Sequence, residues 1–231
     1  MTEATTTLTR AALLITCEFL MSVNVPMGII AKLWRKPWRE TRLAMWGRVR
    51  LLAGLPAPMR TPDRRILEDT IIPFFVARGV ERVLFVGTDW FTMHYDRLFA
   101  ASEYWTIEIE PGRRKFGATR HIVDSVEHLD RHFPKAHFDL ILCNGVYGWG
   151  LDDRASCERA FQRCYECLRE RGVLVLGWNE VPEHCPFPLE SVQSLAQFAR
   201  LEDSPLGAWR YAAQTPSRHV YDFYTKRAGE G

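Results

Sequence analysis

Five short apolar runs, each followed by a stretch with helical or turn character, leave this chain little choice of architecture. They are RVLFVG, YWTIEIE, RHIVD, FDLILC and GVLVLG, and they predict strands over 82–87, 104–109, 120–124, 138–143 and 173–178. Between them the apolar spacing predicts helices near 92–102, 125–133 and 152–170, with a short helical turn at 112–117. Strands that alternate with helices are joined by right-handed crossovers. They form a parallel sheet covered on both faces. Upstream, TPDRRILEDTIIPFFVARG has Thr61 as N-cap, Pro62 at the first helical position and Gly79 as a stop. Pro73 should kink or split that helix. Beyond Glu180 the alternation lapses. Residues 188–200 have helical spacing, LGAWRYAAQT could be a strand, and HVYDFYTKR alternates clearly enough to be the last one. Two late strands would add an antiparallel edge to the sheet.

Charge divides the chain. Residues 1–65 carry a net +7 and residues 66–231 a net −5. The basic part contains twenty-one mostly apolar residues, Ala11 to Ala31, and then KLWRKPWRETRLAMWGRVR, where Trp34, Trp38 and Trp46 are interleaved with seven Lys or Arg. Glu18, Asn24 and Pro26 interrupt the apolar run and oppose a membrane span, since an acid at mid-bilayer costs about 3 kcal/mol. Two readings of this helical arm over 1–60 remain. It is either a cap whose apolar face packs on the domain over 61–231, or a segment in contact with a membrane surface. Nucleic acid is disfavoured as a partner, because the basic run is joined to no recognisable reading module. Six cysteines and no secretory signal fit a reduced cytoplasmic setting, with peripheral membrane association as the variant that the arm allows. Cys157, Ala160, Phe161, Cys164, Cys167 and Leu168 fall on one helical stripe. They are expected in the core and not at a metal.

In an open parallel sheet ligands bind at the carboxyl ends of the strands. There the first strand delivers Gly87, Thr88 and Asp89, the second Glu108 and Glu110, and the third Asp124 and Ser125. The fourth delivers Asn144 and Gly145, followed by a loop with Tyr147 and Trp149. The fifth ends in Trp178, Asn179 and Glu180.

This succession resembles the class I S-adenosylmethionine-dependent methyltransferases from Thr61 to Arg227. The resemblance is carried by VLFVG, TIEIEP, HIVDSVEHL, FDLILCNGVYGWGL and LRERGVLVLGW in that order. It implies an α/β, Rossmann-like, mostly parallel sheet with helices on both faces. It also implies S-adenosylmethionine as cofactor and methyl transfer to an oxygen or nitrogen of a small or amphiphilic acceptor. By position, Gly87, Thr88 and Asp89 fall in the cofactor loop, Glu108 at the ribose, and Asp124 with Ser125 at the adenine. Asn144 and Gly145 fall beneath the reactive methyl.

The departures cluster in the first loop. Phe85, Asp89 and Phe91 stand where the family usually has an acid and two further glycines, and Gly148-Trp149 replaces an acid–His pair. The loop therefore either contacts the cofactor differently or has lost it. Asp89 would suit an ammonium, and nearby backbone amides a carboxylate. Should the reaction need a base, His94, Tyr147, Glu180 and His184 are the candidates, unranked. Tyr147, Trp149 and Trp178 are expected to line an apolar acceptor pocket. A non-catalytic binding or scaffold protein on the same fold is the alternative function. A nicotinamide-dependent oxidoreductase is disfavoured, because its glycine-rich fingerprint is absent.

Overall fold

The computed structural model describes residues 59–228. The helical arm read over residues 1–60, with its cap and membrane-surface readings, therefore lies almost wholly outside the described residues, as does Cys17. Among the described residues no helix is long and apolar enough to cross a membrane.

The helical entry begins with Thr61 at the N-cap and Pro62 at the first position, as the sequence predicts, although the Thr61 hydroxyl makes no cap bond. The predicted break at Pro73 takes a specific form. α1 (Pro62–Ile66) passes through a π-helical turn (Leu67–Ile71) into α2 (Ile72–Ala77). Proline removes one backbone donor and crowds the preceding turn, and the wider π turn accommodates both. Leu67, Ile71, Ile72 and Phe75 on this segment are buried.

Eight strands follow: β1 (Arg82–Val86), β2 (Glu103–Glu108), β3 (Arg120–Val123), β4 (Phe138–Asn144), β5 (Leu168–Asn179), β6 (Ala199–Arg200), β7 (Arg210–Ala212) and β8 (His219–Thr225). The sheet order is β3-β2-β1-β4-β5-β8-β6, with β7 also paired to β8. The five predicted strands are parallel neighbours, and the late strands form an antiparallel edge. The chain runs outward through β1, β2 and β3 and then returns to the far side of β1 as β4. That reversal places the switch point between β1 and β4.

Both faces are covered, as alternation along the strands requires. Leu84, Val86, Ile141 and Cys143 face α4 (Arg154–Cys167), which presents Cys157, Ala160, Phe161, Cys164 and Cys167. Val83, Phe85, Leu140 and Leu142 face the segment from Leu67 to Phe75 together with Tyr95 and Phe99. The cysteine stripe is thus core. Burial pushes the Cys143 and Cys157 thiols up to about 12 and Cys167 up to about 11.

Four predicted helices differ from the structure. The one read over 92–102 contracts to α3 (Tyr95–Leu98). Upstream of α3 the Thr92 hydroxyl and amide both bond the Asp89 carbonyl, at 2.9 Å each, so a side-chain turn displaces the helix start. Residues 125–133 form a 3-10 segment (Val126–Arg131), and 188–200 divide into 3-10 turns at Leu189–Ser191 and Gln193–Gln197 followed by β6. The helix read over 152–170 ends at Cys167. There the carbonyls of Glu166 and Cys167 accept from the amides of Ala136 and His137, and β5 begins at Leu168.

Candidate active site

At the switch point the carboxyl ends of β1 to β5 surround a cavity of about 510 Å³. That size suits a drug-sized or nucleotide-sized ligand. Of the sequence-predicted cofactor residues, Gly87, Thr88, Asp89, Glu108, Asp124, Ser125, Asn144 and Gly145 all line it.

The β1 loop starts at Gly87 with φ +83°, a left-handed conformation that a side chain would strain. Its amide donates to the Ile107 carbonyl at 2.9 Å. The Thr88 amide donates to Glu108 Oε2 at 2.9 Å, and the other carboxylate oxygen, Oε1, accepts from the Glu110 amide at 3.0 Å. Glu108, only 7 % exposed, thereby clamps the β1 loop to the end of β2. Each carboxylate oxygen can accept a second bond, so Glu108 keeps acceptor capacity towards the cavity.

Beyond Thr88 the loop departs from a glycine wrap. The Asp89 amide donates to Thr92 Oγ1 at 3.1 Å, and the Trp90 amide to Asp89 Oδ1 at 2.7 Å. Asp89 Oδ2 stands 3.6 Å from the Arg113 guanidinium. Phe91 lies under Arg64, whose guanidinium carbon is 4.3 Å from the ring centroid. The residues that replace two glycines are thus each matched to an arginine.

At β3, Asp124 is held by two histidines. His128 Nδ1 lies 2.8 Å from Oδ1 and His132 Nε2 lies 2.8 Å from Oδ2. The Ser125 amide adds a bond to Oδ1 at 2.7 Å. The His128 hydrogen bond, followed by those from His132 and the Ser125 amide, outweighs burial and holds the carboxyl far below its usual range. One lone pair of Oδ2 is left to face a ligand.

The opposite end is built from neutral polar side chains, with Asp63 and Arg64 of α1 near enough to act on His219 electrostatically. Asn144 closes β4, Asn179 closes β5, and His219 opens β8 directly opposite Asn179 in the antiparallel register. His219 Nδ1 stands 2.6 Å from Asn179 Oδ1, and Nε2 stands 3.1 Å from Asn144 Oδ1. The ring is 4 % exposed, and burial pushes it down to about 4, which leaves it neutral at physiological pH. A neutral imidazole donates from one nitrogen and accepts at the other, so one of the two amides turns its NH2 to the ring. Gly177 makes room for this cluster. A Cβ there would lie 1.9 Å from Asn144 Oδ1 and 3.0 Å from His219 Nε2.

The four candidate bases read from the sequence stand away from the cavity lining. Tyr147 is fully buried in the core, where its hydroxyl donates to the Phe187 carbonyl. Glu180 pairs with Arg218 at the surface. His94 lies 3.3 Å from Glu68. His184 Nδ1 is 3.2 Å from the Gly148 carbonyl oxygen, and its ring stacks on Trp149 at 3.8 Å. Trp178 also faces the core, donating to the buried Asp222 carboxylate at 3.0 Å. Of the three aromatics expected to line an apolar pocket, Trp149 alone reaches the cavity, at its rim and 57 % exposed. His219, Ser217 and Arg64 were missed as site residues. Nothing local in the sequence marks His219, because the pairing of β8 with β5 alone brings it to Asn144, 75 positions away.

Comparison with known proteins agrees with this geometry. Residues 86–176 match the family described as "Methyltransferase domain". No curated protein matches the chain in sequence. Among solved structures, the chain is similar to the N-methyltransferase NodS from Bradyrhizobium japonicum WM9, at 16 % identity and a TM-score of 0.55 over 73 % of this chain and 99 % of that one. NodS in complex with S-adenosyl-L-homocysteine gives 17 % identity and 0.54, over 73 % of this chain and 90 % of that one. A TehB-like S-adenosylmethionine-dependent methyltransferase from Corynebacterium glutamicum gives 14 % and 0.53, over 83 % of this chain and all of that one. At these identities the solved structures speak for the fold, and the family match speaks for the domain. Residues 86–176 thus match a methyltransferase domain and lie in a Rossmann-like sheet.

Proposed function

We propose that this chain binds S-adenosylmethionine across the carboxyl ends of β1 to β4 and transfers its methyl group to a nitrogen or oxygen of a small polar acceptor. The observation that carries the reading is Glu108. It is a buried carboxylate at the tip of β2, held rigid by two backbone amides and retaining acceptor capacity for a pair of ribose hydroxyls. Asp124 offers its remaining lone pair at the tip of β3, where an exocyclic adenine amine would donate. The bound cofactor supplies an electrophilic methyl on a sulfonium, and in-line displacement then depends on positioning and exclusion of water.

Polarity at the Asn144, Asn179, Ser217 and His219 end favours a hydrogen-bonding acceptor over the amphiphilic one, because two of the three aromatics that would have made this end apolar, Tyr147 and Trp178, are packed in the core. His219, neutral and bonded to two amides, orients those amides. The arm over 1–60 is offered as a separate region, with contact to a membrane surface as one of its two readings. Titration calorimetry with S-adenosylhomocysteine tests the central claim. Measurable heat, with a rise in Tm that follows ligand concentration, is expected. No heat and no shift at millimolar ligand would replace the enzyme with a binding or scaffold protein of the same fold.

A further inference from the structure

The stretch DSVEHLDRH places His128 four and His132 eight positions after Asp124. The chain there forms the 3-10 segment Val126–Arg131, kinked at His128 (φ −112°, ψ 22°), and both rings reach the same carboxylate. Other residues anchor the segment. Val126 and Leu129 are buried in the core, and Glu127 Oε2 accepts from Arg159 Nε on α4 at 2.7 Å. The side chains of His128 and His132 are 40 % and 30 % exposed, so neither is there to fill the core.

A carboxylate accepts hydrogen bonds and donates none. His128 therefore carries a proton on Nδ1 and His132 on Nε2, where each meets Asp124. With the Ser125 amide on Oδ1, the donors leave a single open lone pair, on Oδ2. Asp124 lines the cavity and neither histidine does. Donors on both oxygens lock the carboxylate against turning, as supporting hydrogen bonds do for a group that must meet a ligand in one geometry.

That fixation matters for the purine at this end. Adenine presents an exocyclic amine, which donates, beside a ring nitrogen that accepts. Its deaminated counterpart presents an oxo group, which accepts, beside a ring N–H. A carboxylate free to turn could exchange one donor for the other. One held with a single open site pairs with the amine but meets the oxo group acceptor to acceptor, and an unpaired polar contact is what rejects the wrong ligand. We propose that His128 and His132 are positioning residues that set the purine selectivity of the cavity, fixing Asp124 so that it accepts an exocyclic amine and rejects an oxo group. The proposal rests on the reading of the cavity as the S-adenosyl site.

The test compares S-adenosylhomocysteine with S-inosylhomocysteine, its deaminated analogue. Both are titrated into the full chain, into His128→Ala, His132→Ala and the double alanine variant, and into His128→Asn and His132→Gln. The last two keep an N–H donor near the Nδ1 and Nε2 positions. Tm is recorded for every protein. The full chain should prefer the adenosyl ligand about 10- to 100-fold, the worth of a hydrogen bond to a charged group. The double alanine variant should retain a preference of about threefold or less, and each single alanine variant an intermediate one. His128→Asn and His132→Gln should restore most of the preference, whatever they do to Tm. The single variants carry the test if the double one does not fold. An undiminished preference in the alanine variants, or equal losses on both ligands, would make the histidines structural and overturn the proposal. Equal binding of both ligands by the full chain would overturn it too, while the cavity reading stands. Failure of the full chain to bind either ligand would instead overturn the cavity reading itself.

Discussion

The two ends of the cavity hold their polar groups by opposite means. At the β1–β3 end the groups are carboxylates, Glu108 and Asp124, each held by donors: backbone amides for the first, and two histidines with an amide for the second. At the β4–β8 end they are two amides and an imidazole held neutral by burial. The charged end can accept several hydrogen bonds from one ligand and so define its orientation. The neutral end can offer or accept single bonds from groups that carry no charge of their own.

The largest expected effect is a pH dependence from the neutral end. His219 sits at about 4, against 6.5 when unperturbed. Its folded value is depressed, so its stabilising contribution is complete above about pH 6.5 and is lost as pH falls from there through 4. Fully expressed, the shift corresponds to about 3 kcal/mol. His121 and His137 are also lowered by burial and act in the same direction. Urea unfolding at pH 7, 5.5 and 4.5 should therefore show falling stability, and His219→Gln should flatten part of that fall. An unchanged slope in the variant would mean that the neutral end is not what makes the protein acid-sensitive.

Next comes the charged end. Glu108→Ala should cost about 1.5–3 kcal/mol in S-adenosylhomocysteine affinity, read by calorimetry. If affinity stays level while Tm drops, Glu108 clamps the loop and does no more. Gly177→Ala probes the other end by pushing a Cβ into the Asn144–His219 cluster, at a strain of about 1–3 kcal/mol. Turnover should fall more than S-adenosylhomocysteine affinity. The reverse would remove the division of labour between the two ends. The smallest effect belongs to Asp89→Asn. Its pair with Arg113 is long and partly exposed, with side chains 28 % and 44 % accessible, so the loss should stay within about 1 kcal/mol. A larger loss of cofactor affinity would mean that Asp89 contacts the ligand's ammonium directly.

Local sequence determined the sheet and its ligand-facing rim. Apolar runs of strand length, separated by helical or turn segments, permit few arrangements other than a parallel sheet, and the residue following each run must lie at its carboxyl end. Glu108, Asp124 and Asn144 were therefore legible. Helices were less so, because Thr92 and the Ser125 cap make side-chain bonds that compete with the helical pattern the apolar spacing suggests. The other end of the cavity was legible only in Asn144 and Trp149. Trp178 points into the core because Asp222 on β8 takes its indole N–H, and Tyr147 because the Phe187 carbonyl takes its hydroxyl. Both partners are distant in the chain. Only the antiparallel pairing of β8 with β5 brings His219 beside Asn144, and only the packing of α1 on the sheet brings Arg64 to the cavity. Periodicity encodes which face of an element is apolar. Which side chains from separate elements meet is decided by register and packing, and that is where the proposed chemistry lies.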